Sequence, residues 1–137
     1  MVWEPYFLGL LADAYVQDGQ VGAGLATLDE ALAAARGTGQ RSVEAELCRL
    51  RASLLLQQPG TPQAEAEAWF RRALDFAHRQ EARSLELRAA MSLSRLWHQR
   101  GKRREAYDLL ADVYAWFTEG FDTADLRDAK ALLEELA

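Results

Sequence analysis

The sequence predicts an all-α chain: three helical hairpins stacked as a solenoid and closed by one C-terminal helix. Three observations carry this. Ala66, Phe70 and Ala73 have the spacing small-x3-large-x2-small, which returns as Gly24, Leu28, Ala31 upstream and as Ala106, Leu110, Val113 downstream. Arg83-Ser84-Leu85-Glu86 reproduces the pattern of Arg41-Ser42-Val43-Glu44 42 positions later. Turn signals rich in glycine and proline separate the apolar runs at hairpin intervals. The 137 residues suit a single domain, 1–137, and half of them are apolar, enough to bury a real core.

In the first hairpin, about 5–37, Pro5 suits the first turn of a helix, and Leu8, Leu11, Ala12 and Tyr15 form a stripe at i, i+3, i+4, i+7 that Gly19 ends. A second helix is expected over about 21–36, with Leu25, Leu28, Ala31 and Leu32 on one face and glycines at 37 and 39 stopping it. The second hairpin, about 42–79, opens at Ser42 as a cap and runs through Leu47, Cys48, Leu50, Ala52, Leu55 and Leu56. Thr61 followed by Pro62 reads as cap and first helical position of the next helix, which holds the central stretch 64–77. The third hairpin, about 83–117, has its first helix ending at Gly101 and its second over about 104–116.

The intervals check one another. Ala12 to Ala52 and Ala73 to Val113 are 40 apart, whereas Ala52 to Ser94 and Ala31 to Ala73 are 42 apart. A 40-residue period with two residues inserted near Pro59 accounts for all four. The closing helix, about 122–136, has Asp122 as its cap and Asp125 near its positive end, with Leu126, Ala129, Leu133 and Leu136 as a narrow stripe. An array needs such an element, apolar on its inner side only, to seal the last hairpin. The N-terminal end shows no counterpart, which implies a longer array or pairing through that end, as in a homodimer.

Acidic residues exceed basic ones by five, which disfavours nucleic acid or an anionic membrane as partner. The apolar run at 6–16 is broken by Asp13, has no basic residue before it, and does not read as a signal peptide; no stretch approaches the roughly 18 apolar residues of a membrane span. Cys48 is the single cysteine, so no internal disulfide forms, and a reducing cytoplasm fits. The absence of Ile and Asn, with only Lys102 and Lys130 against many arginines, matches a GC-rich bacterial genome.

The first helices read large-x2-large-small-x2-large, as in Leu8, Leu11, Ala12, Tyr15, and the second read small-x3-large-x2-small, with nine residues from Tyr15 to Gly24 and from Trp97 to Ala106. That pattern resembles the tetratricopeptide repeat. Arg51 and Ala90 depart from it where large apolar residues are expected, and the period of 40 exceeds the usual 34, which implies longer helices. The run from Pro5 to Leu136, with W-F-T-E-G-F-D-T-A-D-L at 116–126, resembles the C-terminal repeat region of bacterial multidomain class III nucleotide cyclases and signalling ATPase regulators. The resemblance implies a right-handed hairpin solenoid and a protein-interaction module of a bacterial cytoplasmic signalling protein. It does not extend to a cyclase or ATPase activity, since the chain has no phosphate-binding Gly-Lys-Ser/Thr loop.

No constellation of nucleophile, base and orienting group recurs at informative spacing, so no enzyme activity and no cofactor is expected. His78 and His98 lack metal-ligand spacing. Cys48 sits on an apolar stripe as a small hydrophobe, Asp122 and Asp125 lack the rest of a calcium loop, and Trp97 is read as core. Arg100, Lys102, Arg103 and Arg104 read as a solvated turn.

In the repeat family the first helices line a concave groove. The resemblance places there Tyr6, Asp13, Gln17, Arg49, Gln57, Arg88, Met91, Arg95, His98 and Gln99. Three arginines in one groove imply an acidic peptide or protein segment as ligand, because a guanidinium pairs bidentately with a carboxylate. The alternative is that they pair with Glu46, Glu86 and their neighbours. The asparagines of the family's carboxylate clamp are absent, which disfavours chaperone tails. A second role remains open: a structural array packing on ATPase or cyclase domains of its own protein, or on a second copy.

Overall fold

A computed structural model describes residues 14–38, 44–121 and 123–137, and these are helical with no strand among them. Residues 14–18 form a helical segment, followed by α1 (Val21–Thr38), α2 (Glu44–Gln57), α3 (Gln63–Arg79), α4 (Arg83–Gln99), α5 (Arg103–Tyr114) and α6 (Ala124–Leu136). Tyr6, Asp13 and Asp122 lie outside the described residues, as does Ser42.

Three helix ends close in the same way. The N–H groups of Gly19 and Gln20 donate to the carbonyls of Val16 and Tyr15, those of Glu81 and Ala82 to His78 and Ala77, and those of Gly101 and Lys102 to His98 and Trp97. Each is the paired 5→2 and 6→1 pattern that satisfies the last free carbonyls of a helix, and it needs a left-handed residue at its pivot. Glycine fills that place at Gly19 (φ 71°) and Gly101 (φ 80°), but Glu81 holds φ 55° with a full side chain.

Every member of the three small-large-small triplets is buried: Gly24, Leu28 and Ala31 on α1, Ala66, Phe70 and Ala73 on α3, Ala106, Leu110 and Val113 on α5. The small residue is where neighbouring helices come closest. A Cβ on Gly24 would stand 2.7 Å from Leu54 Cδ1 and 3.2 Å from Tyr15 Cβ, so only glycine fits there without displacement. The fully buried Ser94, at the matching small position of α4, donates its hydroxyl to the carbonyl of Ala106 at 3.0 Å. A hydroxyl is thus accommodated in the core because its partner is supplied across the hairpin.

Successive helices pack on one another, and in addition α2 contacts α4 and α4 contacts α6. The side chains give the relative direction. Glu46 meets Arg88 and Arg49 meets Ser92 across α2 and α4, while Arg88 meets Asp125 and His98 meets Glu135 across α4 and α6. Sequence number rises on both helices together, so each of these pairs runs parallel. The helix α6 buries Leu126, Ala129, Leu132 and Leu136 against the core of α4 and α5. Leu132 takes the buried place assigned above to Leu133, which is only half-buried.

Other departures have local causes. Pro62 is the residue before α3 rather than its first position, in an extended conformation, and Thr61 directs its hydroxyl to Gln58 Oε1 instead of the helix. The helix α6 is capped by Thr123, whose Oγ1 accepts from Leu126 N at 3.4 Å. Trp97 is half-buried between two core clusters and turns its indole N–H outward to Glu67 Oε1 at 3.0 Å. Arg51 replaces an apolar residue by laying its guanidinium 5.0 Å from the Trp69 ring centroid and pairing with Asp29. Cys48 is buried, and burial pushes its thiol up to about 11, consistent with a small hydrophobe.

Glu81→Gly removes the side chain from the one left-handed non-glycine residue among those described. The substitution is expected to raise unfolding stability by about 0.5–1 kcal/mol. Urea unfolding of the two proteins checks this; equal or lower stability would show that Glu81 is not strained.

Candidate functional site

The helices α2, α4 and α6 present one continuous face, and a charged ladder crosses its middle. Arg49 grips Glu46 with both ends of its fork, Nε to Oε1 at 2.8 Å and a terminal nitrogen to Oε2 at 2.9 Å, and reaches Ser92 Oγ at 3.5 Å. Arg88 donates to Glu46 Oε2 at 3.0 Å and to Asp125 Oδ2 at 2.9 Å. Two cations and two anions on three helices therefore neutralise one another.

The ionisation of the ladder follows from its packing. Burial opposes charge on Glu46, but the hydrogen bonds and fields of Arg49 and Arg88 outweigh it and hold the carboxyl below its ordinary 4.5. The bond to Asp125, against burial and together with Glu46, raises the Arg88 pKa. The alternative reading of the groove arginines thus holds for Arg49 and Arg88. Glu86 belongs elsewhere: it is buried at the α3–α4 junction, where Arg83 at 2.9 Å and His78 Nδ1 at 3.0 Å hold it. In this second copy of the Arg-Ser-x-Glu motif, Arg83 and Glu86 form an i,i+3 ion pair in the first turn of α4.

A second bridge lies at the opposite end of α4. Glu67 accepts from Trp97, Arg71 and Arg100, and these, led by the indole bond and against burial, keep its carboxyl below the ordinary value. Arg103 donates to the carbonyls of Leu136 and Ala137. Two of the four basic residues at this turn are therefore tied to the fold rather than free in solvent.

The predicted groove residues divide. Gln17 is exposed, and Gln57 donates to the Val16 carbonyl at 2.9 Å, joining two helix ends. Met91 is 5% exposed within the α4–α6 core and is removed from the binding surface: its position on α4 faces the α5 and α6 core, which the hairpin pattern alone does not reveal. Arg95, His98 and Gln99 come together. With Leu132 and Glu135 of α6 they line a cleft of about 530 Å³. Arg95 is exposed and makes no ion pair or side-chain hydrogen bond with described residues. His98 Nδ1 lies 3.9 Å from Glu135 Oε1, beyond hydrogen-bond length.

Leu132 and Glu135 were not among the predicted site residues. Their signal lay in spacing: Asp125 and Leu132 are seven apart, as are Arg88 and Arg95, so parallel helices carrying the first pair also align the second. Elsewhere on the surface, Trp116 and Phe121 are exposed between α5 and α6, with the Arg83 guanidinium 3.9 Å from the Trp116 ring centroid. Among the described residues no cluster of three His, Cys, Asp or Glu side chains could hold a metal, and no helix is long and apolar enough to cross a membrane.

Glu46→Gln preserves shape while removing the charge that two arginines share. At neutral pH it is expected to cost about 1–2 kcal/mol of stability. Because the folded-state pKa of Glu46 is depressed, the wild-type advantage is present above 4.5 and is lost as pH falls through the folded value. Urea unfolding should therefore separate the two proteins at pH about 7 and bring them together in strong acid; a gap that persists in acid contradicts the assignment. No protein-family model, curated protein or solved structure matches the chain.

Proposed function

We propose that the chain is a right-handed array of tetratricopeptide-like hairpins, closed by α6, that serves as a protein-interaction module of a bacterial cytoplasmic regulator. Alternation of first and second helices, with first helices touching first helices, supports the array. The observation that carries the interaction role is a contrast on one face: the central arginines are neutralised by the fold, while Arg95 and its cleft are left open. A guanidinium exposed beside a cleft is available to a partner bearing an acceptor. The ligand is then a peptide or protein segment lying along α2, α4 and α6.

A second reading has its own observation. Trp116 and Phe121, 59% and 45% exposed, leave two large aromatic side chains open between α5 and α6, available for packing on ATPase or cyclase domains of the same protein or on a second copy.

Affinity capture from a bacterial lysate discriminates the two, with wild type compared against Arg95→Glu on the α2–α4–α6 face and Arg72→Glu on α3, each checked for helicity. A protein retained by wild type and Arg72→Glu but lost from Arg95→Glu supports the interaction face. Equal retention by all three removes the role of that face. Capture of nothing, with mass that rises with concentration, favours self-association.

A further inference from the structure

The second helices carry charge of their own, away from the α2–α4–α6 face. Arg49 and Arg51 stand two positions apart on α2 and leave it on different sides: Arg49 reaches Ser92 of α4, whereas Arg51 pairs with Asp29 of α1 and lies 5.0 Å from the ring centroid of Trp69 on α3. No contact comparable to that of α2 with α4 joins α1 to α3, so the Arg51 side chain spans the groove between them. The repeat offsets put Leu93 and Leu109 at the places equivalent to Arg51 and Trp69 in the next repeat, and both of these belong to one apolar cluster or pack on it. Charge at this point is therefore particular to the α1–α3 groove.

Cations outnumber acids there. Arg72, exposed on α3, holds its guanidinium 4.7 Å from the same Trp69 centroid and makes no ion pair with a described residue. Arg51 has Asp29, but its Nε is buried without an acceptor. Arg36, exposed in the last turn of α1, is likewise unpaired among the described residues. The Cys48 thiol, raised chiefly by burial, is pulled down by Arg72, Arg51 and Arg36 and pushed up by Glu44, so three guanidiniums and one carboxylate act on a single sulfur.

We propose that the groove between α1 and α3 is a binding site for a phosphate group, with Arg72 as its main donor, Arg36 and Arg51 completing the positive field, and Trp69 holding the Arg51 and Arg72 forks in place. A phosphate group carries three acceptor oxygens and a charge of about −1.5 to −2, which suits two arginines that lack an acid better than the single charge of a carboxylate does. Asp29 and Glu44 weaken the site by like-charge repulsion. Free phosphate and a phosphate monoester share this chemistry.

Inorganic phosphate, methyl phosphate and acetate separate the possibilities. Each is titrated into the whole chain at constant ionic strength, to roughly 20 mM, while NMR follows the Arg72 guanidinium and the Trp69 indole N–H. Phosphate is expected to bind about tenfold more tightly than acetate, and Arg72→Gln, at an exposed position, to lose that preference. Arg36→Gln is expected to weaken phosphate severalfold and Asp29→Asn to tighten it, while Arg104→Gln, an exposed arginine on α5, leaves it unchanged. Tighter binding of methyl phosphate, also dependent on Arg72, supports the site and assigns its source to an esterified phosphate. Equal binding of phosphate and acetate, equal losses in Arg72→Gln and Arg104→Gln, or no shift at either reporter overturns it. Partner capture through the α2–α4–α6 face does not depend on this groove, so the two are judged separately.

Discussion

The arrangement depends on one constraint: α2, α4 and α6 lie parallel, with partners offset by 42 to 43 positions between α2 and α4 and by 37 between α4 and α6. Small side chains set how near the helices come. Where Gly24 admits Leu54 and Tyr15, and where Ser94 reaches the Ala106 carbonyl, the backbones are close enough that a shift by one turn would replace a fitted contact with a clash. The charges meet between first helices, α2 with α4 and α4 with α6. The ladder from Arg49 to Asp125 reads out the register and locks it, since a displaced helix would leave a half-buried carboxylate or guanidinium without its partner.

The ladder is worth more for specificity than for stability. Its members are partly exposed, so the pairs add little net free energy, while any alternative register would carry the full cost of unpaired, partly desolvated charge. The same logic makes the face unequal along its length. At its centre cations and anions cancel, and near the C-terminal end of α4 a guanidinium faces a leucine. Paired and unpaired arginines thereby share one row of α4.

Much of the helix layout was legible because it rests on local chemistry. Triplets of small and large residues mark buried faces, and Gly19 and Gly101 mark left-handed pivots. The third pivot was hidden because Glu81 carries no such mark in its side chain. The helix start misled at Thr61, where the neighbouring Pro62 stands at the cap position instead. The site was less legible than the fold. A hairpin pattern tells which residues leave the hairpin's own core, but whether Met91 meets solvent or α6, and whether Arg49 meets a ligand or Glu46, depends on the next helix over. Only the offset between hairpins decides that, and the sequence carries it solely as matched seven-residue intervals on α4 and α6.

The most direct test of the account is a double-mutant cycle on Arg88 and Asp125, since that pair defines the offset from which the open position of Arg95 follows. Unfolding free energies of wild type, Arg88→Ala, Asp125→Ala and the double variant are expected to give a coupling of about 0.5–1 kcal/mol, the size of a partly exposed ion pair in direct contact. Strict additivity would mean that the two side chains do not meet, and the register between α4 and α6, with the vacancy opposite Arg95, would be contradicted.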